Sequence, residues 1–143
     1  MGNVSNILSK KGNLIYSVTP DTTVFKALEV MSEKNVNALL VMEDDKLAGI
    51  FTEKDYARKV VLKGKTSKSM LIMELMTTNI ITVRPETSID ECMQLMTNKF
   101  IRHLPVTEYN NVIGIISIGD VVKYIIDEQK FIIENLEHYI TGT

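Results

Sequence analysis

One cysteine, Cys92, is all the sequence contains, so no disulfide can form within it, and a reducing compartment, the cytoplasm, is the expected setting. No apolar run approaches the ~20 residues a membrane span requires, and Met1–Lys10 lacks the apolar core of a signal peptide. The formal net charge is only −2, which leaves no broad basic footprint for nucleic acid or an anionic membrane. Gly-x-Gly-x-x-Gly and Walker-type phosphate loops are missing, as is any convincing pairing of a nucleophile with a base. His103 and His138 have no cysteine or acid at metal-ligand spacing. What remains is a chain of 143 residues, 45% hydrophobic and 24% charged, the profile of an ordinary globular protein. That length suffices for one core, or for two small subdomains sharing one.

The chain repeats itself with a period of 65 residues and no gap. Val18 matches Val83, Pro20 Pro85, Thr22 Thr87, Met31 Met96 and Lys34 Lys99. Leu39, Val41 and Glu43 meet Leu104, Val106 and Glu108, and Gly49, Ile50 and Asp55 meet Gly114, Ile115 and Asp120. These are eleven identities in the 41 aligned positions 18–58. Substitutions such as Val24/Ile89, Leu28/Met93, Val36/Ile101 and Thr52/Ser117 keep size and polarity. Two copies are too few for a solenoid, so the copies are expected to bury their apolar faces against each other.

Both copies read as β-α-β-β-α. A strand (Leu14–Val18, Asn79–Val83) ends at a proline. A helix follows, with Val24, Leu28 and Met31 or Ile89, Met93 and Met96 at helical spacing. Ser88 and Glu91 form a capping-box pattern, whereas Lys26 takes the acid's place in the first copy. Then come a strand (Ala38–Met42, Leu104–Val106), a turn (Glu43–Lys46, Tyr109–Asn111), a second strand (Leu47–Phe51, Val112–Ile116) and a last helix from Thr52 or Ser117. Val4, Ile7 and Leu8 precede the first copy as Ile72, Leu75 and Met76 precede the second, displaced by 68, and suggest short lead-in helices. The expected division is 4–62 for the first repeat, 63–71 for a polar loop, 72–126 for the second repeat and 127–143 for a helical tail. Val121, Val122, Ile125, Ile132, Ile133, Leu136 and Ile140 mark one helix or two, whose apolar face packs on its own module or on a second copy. Cys92, beside Met93, and the eight methionines read as packing residues.

The segment with the most chemistry is Gly49-Ile50-Phe51-Thr52-Glu53-Lys54-Asp55, repeated as Gly114-Ile115-Ile116-Ser117-Ile118-Gly119-Asp120. A strand there runs into a helix N-terminus, where free N–H groups and the helix dipole favour an anion. The hydroxyl can join those amides around a phosphate, and the carboxylate three residues later can accept both hydrogen bonds of a ribose diol. Ser/Thr-x-x-Asp is equally a capping box that needs no ligand, and the side chains can serve both purposes.

With these motifs the chain resembles a CBS-domain pair, or Bateman module, over nearly all its length, and its ending resembles free-standing bacterial two-repeat proteins. The resemblance implies an α+β fold in which two βαββα repeats pack through their sheets about a pseudo-twofold axis, leaving two clefts. It implies binding of an adenosine-containing ligand: AMP, ADP, ATP, NAD or S-adenosylmethionine. Carried over, Asp55 and Asp120 would hold riboses, and Thr52 and Ser117 would reach phosphates. Backbone around Ile15–Ser17 and Ile80–Thr82 would read the adenine edge. The second copy has the family's basic pair before a proline, Arg102-His103-Leu104-Pro105, which offers phosphate donors. The first has Asn37-Ala38-Leu39-Leu40, with neither base nor proline, and would turn to Lys54, Arg58, Lys65 or Lys68, or borrow Arg102 across the cleft. The expected nucleotide-binding set is therefore Ser17, Asn37, Ala38, Thr52, Lys54, Asp55, Arg58, Ile80, Thr82, Arg102, His103, Leu104, Pro105, Ser117 and Asp120, with no catalytic or metal-binding residue.

A regulatory sensor that passes occupancy to another protein, or to a second copy in a homodimer, fits these features best. A structural dimerisation module with vestigial clefts is the alternative, supported by the missing basic pair in the first copy. A nucleotide hydrolase lacks a metal-binding carboxylate cluster, and nucleic-acid binding conflicts with the acidic balance.

Overall fold

The computed structural model describes residues 2–66 and 68–141. Its two central helices arise from the same local signals. Helix α2 (Val24–Lys34) starts where the Thr23 hydroxyl accepts the Lys26 N–H at 3.1 Å, and it buries Val24, Ala27 and Met31. Helix α4 (Ile89–Lys99) starts where the Ser88 hydroxyl accepts the Glu91 N–H at 3.1 Å, and it buries Ile89, Cys92 and Met96. Only this arm of the expected Ser88/Glu91 box forms. Both helices stop at a left-handed residue, Asn35 (φ 54°) and Phe100 (φ 55°). Asparagine tolerates that conformation and phenylalanine does not, so Phe100 is strained.

Each repeat then forms a hairpin. Strands β2 (Ala38–Glu43) and β3 (Lys46–Thr52) pair antiparallel in the first, and β4 (His103–Glu108) and β5 (Asn111–Ser117) in the second. Asp44–Asp45 and Tyr109–Asn110 form the two-residue turns, all four with positive φ, the hand that matches strand twist. A bulge falls after Val41 in one hairpin and after Val106 in the other.

The leading strands are shorter than their apolar runs predict. Strand β1 is only Ser17–Val18, parallel to β2, and the expected Asn79–Val83 strand shrinks to a single bridge between Val83 and Val106. Pro105 supplies the reason in the second repeat. In the first repeat Leu40 donates its N–H to the Tyr16 carbonyl at 3.3 Å. Its counterpart Pro105 has no N–H to give Ile81, so only the bonds flanking Val83 remain.

The lead-in segments cross over. Helix α1 (Val4–Lys11), which precedes the first repeat, packs on the second, and Val4, Ile7 and Leu8 share a buried cluster with Ile89, Leu104 and Ile116. The lead-in to the second repeat forms a 3₁₀ turn, Ile72–Glu74, rather than a full helix. It packs on the first repeat, where Ile72 and Leu75 meet Val24, Leu39 and Phe51. Each crossover is fixed by an equivalent backbone bridge, Asn3 with Ser88 and Leu71 with Thr23. Glycines admit the close approach: a Cβ on Gly114 would lie 2.9 Å from Leu8 Cδ2, and one on Gly49 would lie 2.7 Å from Met76 Sδ.

The last helices differ. In the first repeat α3 (Glu53–Tyr56) widens into a π-helical stretch, Ala57–Val61, before the loop. In the second, α5 runs unbroken from Ile118 to Thr141, so of one helix or two it is one, and the expected helical tail continues the repeat's own last helix. The expected ending at 142 and 143 lies outside the described residues. Beyond Lys130 every described residue of α5 is exposed, including Phe131, Ile132, Ile133, Leu136 and Ile140. No helix among the described residues is long and apolar enough to cross a membrane.

Candidate functional site

Two equivalent strand-to-helix junctions carry the expected polar residues. At the first, the Thr52 N–H donates to Asp55 Oδ2 at 3.0 Å, and the Asp55 N–H donates to Thr52 Oγ1 at 3.3 Å. At the second, the Ser117 N–H donates to Asp120 Oδ2 at 2.8 Å, and the Asp120 N–H donates to Ser117 Oγ at 3.2 Å. Both capping boxes are therefore closed by the chain's own groups, and each leaves carboxylate lone pairs for further donors.

Those lone pairs attract lysines that the sequence pattern did not single out. Lys59, one turn beyond Asp55, places Nζ 3.2 Å from Asp55 Oδ1 and donates to the Leu75 carbonyl at 2.9 Å. Thr77, on the crossed-over segment, adds a hydroxyl bond to Asp55 Oδ1 at 3.3 Å. At the second junction Lys11, the last residue of α1, places Nζ 2.6 Å from Asp120 Oδ2 and 2.7 Å from the Ile115 carbonyl. The i,i+4 spacing of Lys59 could have disclosed the first pair. Nothing local discloses the second, because Lys11 arrives from 109 residues away through the crossover.

The electrostatics follow from these partners. Burial works to raise the Asp120 carboxyl, but the Lys11 hydrogen bond, the Ser117 N–H and the Lys11 charge outweigh it and hold the group below the ordinary aspartate value. His103 is pushed down, first by burial, then by the charges of Lys11 and Arg102, with Asp120 opposing. Its Nε2 lies 2.9 Å from Asn37 Oδ1, a contact that links the start of β4 to the residue just before β2 in the first repeat.

The other expected residues divide. Asn37 and Arg102 are exposed and equivalent, their carbonyls accepting the N–H groups of Glu53 (3.2 Å) and Ile118 (2.9 Å). Ala38 pairs with Thr52 and His103 with Ser117, which brings each basic-pair position beside its own junction. Leu104 and Pro105 are buried, with the Pro105 carbonyl accepting from Val83 at 3.0 Å. Ser17 is exposed on β1, and Ile80 and Thr82 lie in irregular backbone next to the Val83 bridge. Lys54 turns away from Asp55, donating to the Phe100 carbonyl at 3.2 Å. Arg58 is exposed, and its neighbour Lys59 is the base that reaches the carboxylate. Lys65 and Lys68 are also exposed, and Lys68 sits 5.9 Å from the centre of the Phe25 ring. A concavity of about 690 Å³ runs along α5 between Ile118 and Lys130 with Arg102 at its edge.

Cys92 is buried within α4, where burial and then the Glu91 charge push its thiol up to about 11, a packing group rather than a nucleophile.

Comparison with known proteins assigns this architecture. The CBS domain profile matches residues 4–62 and 72–127. The CBS domain-containing protein CBSX3, mitochondrial, of Arabidopsis thaliana is 40% identical over 148 residues, covering 97% of this chain and 72% of its own. A putative signal-transduction protein with CBS domains from Burkholderia ambifaria MC40-6 superposes with a TM-score of 0.86 at 48% identity, over 89% of this chain and 96% of its own. The CBS domain pair of protein MJ0100, solved with 5′-methylthioadenosine and S-adenosyl-L-methionine, superposes with a TM-score of 0.78 at 25% identity, over 90% and 98%.

Proposed function

The chain belongs to the CBS-domain family as a pair of tandem repeats, and from that premise we propose that it is a non-catalytic sensor of adenosine-containing ligands that signals to a partner protein. CBS-domain pairs are regulatory modules, and one structural neighbour holds adenosine compounds. The observation that carries the reading here is the duplicated carboxylate. Asp55 and Asp120 sit at matching strand-to-helix junctions, each fixed by the N–H three residues before it. Their remaining lone pairs suit the paired hydroxyls of a ribose, and the adjacent Thr52 or Ser117 hydroxyl lies where a 5′ substituent would leave the sugar. The Ile81 carbonyl that Pro105 cannot bond is free to meet an adenine amino group beside the second junction. AMP, ADP, ATP, NAD and S-adenosylmethionine all present this ribose and base.

Signalling requires that the ligand favour one arrangement of the repeats over another. The His103–Asn37 and Lys54–Phe100 contacts are polar links across the repeats that such a rearrangement would break. Output then falls to a partner protein, or to a second copy through α5.

A structural dimerisation module is the second reading. The exposed apolar residues Ile118, Val122, Ile126, Ile133, Leu136 and Ile140 recur along α5 at near-helical spacing, and the polar groups of both boxes bond to one another. Calorimetric titration with AMP, ATP, NAD and S-adenosylmethionine separates the two. The control is an Asp55→Asn, Asp120→Asn variant, which keeps an acceptor for each cap and removes the charge. Micromolar binding lost in the variant supports the sensor. Absence of binding at millimolar ligand leaves the dimerisation module.

A further inference from the structure

The two carboxylates are not equally available. Both receive the N–H and hydroxyl of the residue three positions before; Asp55 adds Lys59 and Thr77, whereas Asp120 adds Lys11. A ribose diol entering the first junction must displace donors from the junction's own helix and from the crossed-over segment. At the second it must displace one ammonium, carried on α1. That ammonium lies near a second fixed positive group, Arg102 immediately before β4, and near His103, on which the charges of Lys11, Arg102 and Asp120 all act. Lys11 and Arg102 against Asp120 leave one positive charge in excess before His103 takes a proton.

Resting on the adenosine reading above, we propose that Lys11 makes the second cleft selective for 5′-phosphorylated nucleosides over uncharged ones. The ligand's ribose takes Asp120, and its phosphate takes the ammonium that Asp120 releases. An uncharged nucleoside offers the carboxylate the same diol but offers Lys11 nothing. The ammonium would then keep only the Ile115 carbonyl, at 2.7 Å. Lys11 thus opposes the nucleoside as a competitor for the carboxylate and favours the nucleotide as a phosphate donor. Because Lys11 ends α1, its transfer also alters how that helix is tied to the second repeat.

The test is titration with AMP and with adenosine in an Asp55→Asn background, which silences the first carboxylate, comparing the parent with Lys11→Met and Lys11→Arg. Lys11→Met is expected to weaken AMP and strengthen adenosine, shifting their affinity ratio by about tenfold or more. Lys11→Arg is expected to keep the preference for AMP. A merely structural role for Lys11 weakens both ligands together, so a ratio unchanged in Lys11→Met overturns the proposal, as does loss of the preference in Lys11→Arg. Thermal melts of each variant show whether α1 stays docked through Val4, Ile7 and Leu8. If the wild-type protein binds neither compound, nor ATP, NAD or S-adenosylmethionine, the adenosine reading itself fails; if it binds one of those three but neither AMP nor adenosine, the reading stands and the role given to Lys11 is overturned.

Discussion

Gly49 and Gly114 occupy equivalent strand positions, yet replacing each with alanine has different expected consequences. At Gly49 the new methyl would lie 2.7 Å from Met76 Sδ, 2.8 Å from Met76 Cγ and 3.0 Å from the Thr77 carbonyl oxygen. The methionine can swing aside, but the carbonyl cannot. It accepts the Ile50 N–H at 3.0 Å, while the Thr77 N–H donates back to Ile50 at 2.9 Å. The methyl must therefore spread this bridge, at about 1–3 kcal/mol for overpacking. At Gly114 the three nearest atoms, at 2.9, 3.2 and 3.7 Å, all belong to the Leu8 side chain on α1, which can rotate. Alanine also removes the entropic penalty of glycine within a strand, about 0.5–1 kcal/mol at either site. The net is destabilisation for Gly49→Ala by about 1–2 kcal/mol and a change near zero for Gly114→Ala. Urea unfolding followed by circular dichroism measures both. Equal losses, or a larger one at Gly114, would refute the claim that the fixed Thr77 carbonyl decides the cost.

Phe100→Gly is expected to raise stability by about 1 kcal/mol, read as a higher thermal midpoint, because the residue is held at φ 55° with its ring mostly exposed. Asn35 at the equivalent position shows the residue type the backbone prefers. Acid is expected to weaken the fold in two stages, each with a defined sign. His103, depressed by burial and by Lys11 and Arg102, contributes stability above its unfolded value near 6.5 that falls as pH drops below it. Asp120, depressed overall by Lys11 and Ser117, contributes stability above the ordinary aspartate range that is lost as pH falls through its folded value. Denaturation midpoints between pH 8 and 3 follow both stages, and Lys11→Met should diminish the lower one. A lower stage untouched by that change would remove the Lys11–Asp120 pair as its source.

Much of the fold is legible in the chain because the repeat supplies two readings of each element. The hairpins, both central helices and both Ser/Thr-x-x-Asp junctions follow from residues close in sequence. The second leading strand is not legible because an apolar run signals burial, while a strand also needs a neighbour with N–H groups to donate, which Pro105 denies. The lead-ins were recognisable at their displacement of 68, but which repeat each would cover depends on packing across the chain. For the same reason Lys11 escaped notice. No pattern within ten residues of a lysine announces a carboxylate 109 positions away.

The crossed lead-ins have a further consequence for how such a module can be built. Each repeat's own lead-in covers the other repeat, so a chain of one repeat would keep its lead-in and still lack a cover. Two such chains could complete each other by exchange, reproducing the present module with the 63–71 connection cut and its pseudo-twofold made exact. On this view the tandem chain is a tethered form of a domain-swapped pair, and the linker raises the effective concentration of the two halves without having to set how they pack. Changes to its length would leave the packing of the module intact while altering how readily its halves separate.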